Sequence, residues 1–164
     1  ITPGSGVTLL NGGGDLVTAA LDTSCDVVKL AINTWLVVMG GAPTAAPGDF
    51  GIACSDEATA ITTGTSKVTF RMPYAMTLTA VRASVGTAPT GADIIIDINE
   101  SGSTILSTKL RIDATEKTST TTATPAVISD TSLADDAEIT IDFDQVGSTI
   151  AGAGVKVWFI GNKT

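Results

Sequence analysis

Glu138-Ile139-Thr140-Ile141-Asp142-Phe143-Asp144 places an apolar residue at every second position and a polar one between each pair. Side chains alternate across a strand, so this stretch reads as a β-strand with one buried and one wet face. The pattern recurs outward along the chain. Val68, Phe70 and Met72 share a face, as do Ile94, Ile96 and Ile98, and Val155, Val157 and Phe159. Strands are expected at 67–72, 76–85, 93–99, 104–112, 126–128, 138–144 and 155–160. Turn chemistry separates them at Met72-Pro73, Ala88-Pro89-Thr90-Gly91, Glu100-Ser101-Gly102 and Gly152-Ala153-Gly154. Seven or eight short antiparallel strands in roughly 110 residues fit a jelly-roll-type β-sandwich. No helix longer than a turn or two is expected, which excludes βαβ folds.

Residues 1–41 read as a small, separate β-rich assembly unit. Val7-Thr8-Leu9-Leu10 is a strand running into Asn11-Gly12-Gly13-Gly14-Asp15, and 16–21 is a second strand. The segment 26–32 sets Val28, Leu30 and Ile32 on one face and Val27, Lys29 and Ala31 on the other. Asn33-Thr34 is the turn candidate, and Trp35 to Met39 returns as the second arm of a hairpin. About 40 residues seldom sustain a core alone, and these strands are apolar at consecutive positions. The expectation is assembly with other copies, with Val28, Leu30, Trp35 and Val37 at the oligomer interface. Residues 42–50, with Pro43, Pro47 and Gly48, read as a linker, and 51–164 as the jelly-roll β-sandwich.

The hydrophobic share is 43% but the aromatic share only 4%, so the core rests on aliphatic residues. Charged residues make up 16%, below the usual share of about 25%. Thr, Ser and Asn supply the polar surface instead. A net charge of −8 repels phosphate backbones and argues against nucleic-acid binding. No stretch has the length of a membrane span, and no signal peptide is visible. The chain starts at Ile1 rather than Met, which points to processing or to a longer protein. Cys25 and Cys54 match no metal motif; they read as small buried hydrophobes, with a single disulfide as the alternative.

With no histidine, the chain lacks the usual general base, the Ser-His and Cys-His nucleophile systems and imidazole ligands. Two distant cysteines cannot close a zinc site. Carboxylates remain: Glu138, Asp142 and Asp144 alternate on one strand, and Asp93 and Asp97 on another. Their plain reading is a solvated face that discourages edge pairing, with Lys67, Arg71, Lys109 and Arg111 as cross-strand partners. Calcium on Asp142 and Asp144, or a glycosidase pair, are the sharper alternatives. The Gly12-Gly13-Gly14 run leads into no helix carrying Lys-Ser/Thr, so it reads as a turn and not a phosphate loop. Trp158 faces opposite to Val157 and Phe159 and is the leading candidate for an interface. Trp158 and Tyr74 are also the candidates for stacking on a sugar. No cofactor and no catalytic residue is expected.

The stretch 52–161 resembles a domain common in tailed-bacteriophage virion proteins of the tail-fibre or structural class. The residues carrying the likeness are Lys67-Val68-Thr69-Phe70-Arg71-Met72-Pro73-Tyr74-Ala75-Met76-Thr77-Leu78, Ala88-Pro89-Thr90-Gly91 and Asp97-Ile98-Asn99-Glu100-Ser101-Gly102. Ile105-Leu106-Ser107-Thr108-Lys109-Leu110, Leu133-Ala134-Asp135-Asp136-Ala137-Glu138-Ile139, Gln145-Val146-Gly147 and Ala151-Gly152-Ala153-Gly154 continue it. Val28 to Val38 is similar to phage fibre segments that close a trimeric β-structure, although the usual Gly-rich turn before the Trp is missing. The resemblance implies a homotrimer on the virion surface, made in the bacterial cytoplasm. Its partners would be other virion proteins and a host-surface glycan, and it transfers no catalytic residue. Fibre, spike and capsid decoration all fit it. The loops at 88–92 and 115–124 would then face outward. A stand-alone carbohydrate-binding module is the alternative, and a depolymerase the third class.

Overall fold

Alternation at this density leaves the backbone one way to satisfy its hydrogen bonds, which is sheet. The computed structural model describes residues 7–11, 14–19, 25–31, 34–39 and 46–164, and among them it contains fifteen strands and no helix. The chain divides into two compact units, Ile1–Thr44 and Ala45–Thr164.

The first unit contains two antiparallel two-stranded ladders. β1 (Val7–Asn11) pairs with β2 (Gly14–Ala19), and β3 (Cys25–Ala31) pairs with β4 (Thr34–Met39). Asn11 opposes Gly14 and Ala31 opposes Thr34, so each connection is two residues long. Thr34, expected in the turn, belongs to the returning strand instead. The turn residues themselves lie outside the described residues.

The second unit is two antiparallel sheets enclosing one core. One sheet runs in the order β11 (Leu110–Ile112), β8 (Ile94–Glu100), β14 (Glu138–Gln145), β6 (Gly64–Arg71), with β9 (Ser103–Thr104) also on β8. The other runs β13 (Ser132–Leu133), β7 (Met76–Ser84), β15 (Lys156–Lys163), β5 (Phe50–Ala53). β10 (Leu106–Thr108) and β12 (Val127–Ile128) form a separate ladder. The inward rows of β8, β14 and β15 are those expected from alternation, and β7 adds a row of its own. Ile94, Ile96, Ile98, Ile139, Ile141 and Phe143 come from the first sheet, and Met76, Leu78, Val157 and Phe159 from the second, all buried. Phe50 stacks on Phe159 at 4.9 Å, and Phe70 meets Phe159 edge-on at 5.7 Å. Phe50, Phe70, Tyr74 and Phe159 thus form one aromatic cluster in a mostly aliphatic core.

Three departures from the expected elements have local causes. Residues 46–50 are not linker. Gly48 N–H donates to the Gly161 carbonyl at 2.9 Å, Lys163 N–H to the Ala46 carbonyl at 2.9 Å, and β5 starts at Phe50. The expected strand at 104–112 breaks into β9, β10 and β11, because the adjacent buried pair Ile105 and Leu106 violates alternation and the chain moves from one ladder to another. In β7 the buried positions change from even (Met76, Leu78) to odd (Val81, Ala83). Ile160 opposes Ala80 but Gly161 opposes Leu78, so a bulge at Thr79 absorbs one residue and reverses the pleat. At the Gly152-Ala153-Gly154 turn both glycines take positive φ, +98° and +71°, which L side chains adopt only under strain.

Candidate functional site

The described residues offer four places where side chains or backbone could meet a ligand: the exposed indole, the Tyr74 corner, the acidic strand face and a groove beside β7.

Trp158 stands on the outer face of the second sheet, 46% exposed, while Val157 and Phe159 on either side are buried. The register places it between Gly51 of β5 and Arg82 of β7. A Cβ on Gly51 would lie 2.6 Å from the indole, so the ring lies against the backbone of the edge strand where no side chain shields it. An aromatic ring laid over a strand glycine covers a weak point in the sheet. The remaining exposed surface of the ring, beside Arg82, is available to a partner. Trp158→Ala is expected to leave the fold intact at a cost of about 1 kcal/mol, read as a small shift in urea midpoint.

Tyr74 has a different environment. Its hydroxyl donates to the Gly48 carbonyl at 2.8 Å, the Lys163 ammonium lies 4.2 Å from its ring centroid, and Phe50 meets it edge-on at 6.4 Å. The ring ties residues 46–50 to the end of β15, so its polar tip and one face serve the fold.

The acids are held by donors of the protein itself. Asp97 is buried on the outer face of β8, directly opposite Asp142 of β14. Its Oδ1 accepts from the Thr104 hydroxyl at 2.5 Å and the Ile98 N–H at 2.9 Å, and its Oδ2 pairs with Lys109 Nζ at 2.9 Å. Lys109 also pairs with Asp144, and the two carboxylates, Asp144 first, raise the pKa of the lysine. Asp142 accepts from the Ser66 N–H at 2.6 Å and from Asn99 Nδ2 at 3.1 Å. Arg111 pairs with Asp93 at 3.3 Å and Arg71 with Glu138 at 3.6 Å, the cross-strand pairing expected from alternation. Lys67 instead donates to the Thr62 hydroxyl at 2.8 Å. Asp142 and Asp144 thus turn to different donors, and among the described residues no group of three or more His, Cys, Asp or Glu could hold a metal ion. Removing Asp97 leaves Thr104 and Lys109 without their shared acceptor. Asp97→Ala is therefore expected to cost about 2 kcal/mol in denaturant unfolding, with Asp97→Asn nearer 1.

The loop at 115–124 is tied to the sandwich. Asp113 accepts from the Thr122 hydroxyl and the Ala123 N–H, both at 2.8 Å, and these bonds, the Ala123 N–H first, hold its pKa below the usual value. Ser119 is buried and its hydroxyl accepts from Ala83 N–H at 2.8 Å. The 88–92 loop is braced by Thr90 N–H to the Ile150 carbonyl at 2.9 Å and by Thr115 N–H to the Pro89 carbonyl at 2.7 Å. Ile150, which accepts from Thr90 there, is an exposed large apolar residue, at 48%.

Cys54 is a free, buried thiol, and burial pushes its pKa up to about 12 from 9.0. The folded state therefore keeps the proton at pH values where the unfolded chain loses it. Stability is expected to be unaffected by this group below pH 9 and to fall as pH rises from 9 towards 12. Alkylation of Cys54 at pH 8, followed by peptide mapping, is expected to proceed only after denaturant is added. Cys25 lies in β3, and its side chain is outside the described residues. The same holds for Val28 and Leu30 in β3 and for Trp35 and Val37 in β4. The register there sets Val27 opposite Val37, Val28 opposite Leu36 and Lys29 opposite Trp35.

The feature that alternation did not disclose is a groove of about 590 Å³ between β7 and the segment 125–131. β13 pairs with β7 only at Met76 and Thr77, while β12, just before it, pairs with β10. The strand peels away from β7, and Val127, 50% exposed, is left on the opposite wall. No protein family matches the chain, and no curated protein matches it significantly.

Proposed function

We propose that this chain is a non-enzymatic structural protein of a tailed-phage virion surface: a homotrimeric fibre, spike or head projection serving adhesion or particle stabilisation. The observation that carries the reading is the division of labour between the units. Among its described residues the first holds two two-stranded ladders, each below the three strands that independent stability usually requires. Association of copies is the direct remedy, and threefold closure satisfies every copy equally. The second unit supports a display role. Its strand order, β5-β15-β7-β13 and β6-β14-β8-β11, supports reading the two sheets as a jelly roll, a fold common in capsid and lectin domains. The acids of β8 and β14 are engaged by protein donors and do not line the groove.

Light scattering on the full chain and on residues 45–164 tests this reading. The full chain is expected at three times its own mass and the shorter piece as a folded monomer. A monomeric full chain overturns the trimer and favours the second reading, a stand-alone carbohydrate-binding module. The exposed Trp158 beside Arg82 is the observation on that side. Glycan-array binding that disappears in Trp158→Ala while the fold survives is its expected signature.

A further inference from the structure

We propose that the open edge of β7 at Val81 binds an extended peptide strand that carries an acidic residue opposite Arg82. The inference does not depend on the oligomeric state or on the virion reading.

The backbone supplies the first argument. Beyond the bulge, odd residues of β7 turn their N–H and C=O away from β15. Ala83 N–H donates to Ser119 Oγ, the Ala83 carbonyl accepts from Ser119 N–H, and Val85 N–H donates to the Lys117 carbonyl. Before the bulge the direction is set by even residues, with Leu78 N–H donating to the Thr131 carbonyl. Val81 lies between these two anchored points, and its N–H and C=O face the same edge. Among the described residues no strand or loop pairs with it there. Unpaired strand groups are a template for another strand.

The other sheet edges are blunted, which makes this gap distinctive. β6 carries a positive-φ residue, Ser66 at +48°, followed by exposed Lys67, and β5 is only four residues long. β11 and β13 are only three and two residues long. Short edges, bulges and lysines all oppose pairing. At Val81 the wall facing β7 is apolar instead, formed by Pro125, Ala126, Val127 and Ile128, with Ser119, Thr120 and Thr131 also lining the groove.

Charge chooses the occupant. Arg82 is the one charged residue lining the groove, and it is exposed. Each of the five ion pairs among the described residues uses another cation. A peptide carboxylate would complete it, because a guanidinium donates two parallel hydrogen bonds to a carboxylate. Main-chain pairing with Val81 would give general affinity, the Val127 wall would take an apolar side chain, and Arg82 would set the register.

The test uses the full chain and a panel of capped heptapeptides of alternating Val and Thr, with one Glu placed at each position in turn. Amide exchange and chemical shifts are followed by NMR. At least one peptide is expected to slow exchange of the Val81 N–H about tenfold or more. Its Lys counterpart should bind roughly tenfold more weakly. N-methylation of the pairing residue should abolish the protection. Arg82→Glu is expected to reverse the Glu-over-Lys preference, and Val127→Asp to weaken every peptide. Both positions are exposed, and an unchanged spectrum elsewhere verifies the fold. The proposal is overturned if Val81 is already as protected in the free chain as Ala83, or if no panel member slows it. Equal binding of Glu and Lys peptides, or protection by a linear glucose hexasaccharide in place of peptide, overturns it as well.

Discussion

Phe159→Ala is expected to destabilise the second unit by about 4 kcal/mol, the largest effect of any single side-chain truncation there. Phe159 is fully buried on the central strand β15, with Phe50 stacked on one face and the edge of Phe70 against it. An aliphatic core relaxes around a missing methylene more readily than an aromatic cluster relaxes around a missing ring. Phe50 and Phe70 are only half-buried and already lie at the rim, so neither can move inward to fill the space without giving up its own contacts. Urea unfolding followed by circular dichroism reads the loss as a lower midpoint at unchanged slope. Phe159→Leu, which keeps most of the volume, should cost about 1.5 kcal/mol. Equal costs for the two variants would mean that ring geometry, not volume, holds the cluster.

Gly161→Ala is expected to cost about 3 kcal/mol, for a reason that lies in space alone. A Cβ at Gly161 would meet the Thr77 carbonyl oxygen at 2.1 Å and Leu78 Cα at 3.0 Å. These are backbone atoms of β7 at the bulge, so relief requires the two strands to separate. Gly102 provides the contrasting control: nothing lies within 4 Å of its Cβ position, but its φ is +85°. Gly102→Ala should therefore show only conformational strain, about 1 kcal/mol. The ratio of the two costs separates close approach from backbone strain, and a cheaper Gly161→Ala would show that the bulge can open. A variant that slips the register at Gly161 would also move Trp158, so an altered indole emission is expected to accompany the loss.

Much of this architecture could be read from residue order, because period-two alternation is a local property. Once Ile94, Ile96 and Ile98 alternate with Ile95, Asp97 and Asn99, the inner face of β8 follows from strand geometry whatever its neighbours are. That Arg71, Lys109 and Arg111 would meet acids across the sheet was legible for the same reason, but not which acid each would meet. The break at Ile105-Leu106 also left a mark, as two adjacent apolar residues where alternation allows one. β5 left little: Phe50-Gly51-Ile52-Ala53 follows a Pro- and Gly-rich stretch, and it becomes a strand because β15 offers it an edge.

The rest depended on which strands meet. Asp142 and Asp144 look equivalent along β14, but one faces Ser66 and Asn99 and the other Lys109, so their carboxylates do not converge. Tyr74 looks like a free aromatic until Gly48 and Lys163 are brought to it from both ends of the unit. The open edge at Val81 exists only because β12 leaves for β10 while β13 stays with β7. Spacing and composition were enough to make the chain β throughout the described residues, to set the inward faces of β8, β14 and β15 and to make the core mostly aliphatic. Tertiary structure alone decided the partners of the acids, the covering of Gly51 and the groove. Each of these arises from contacts between residues far apart in the chain, and strand pairing, not local preference, selects such contacts.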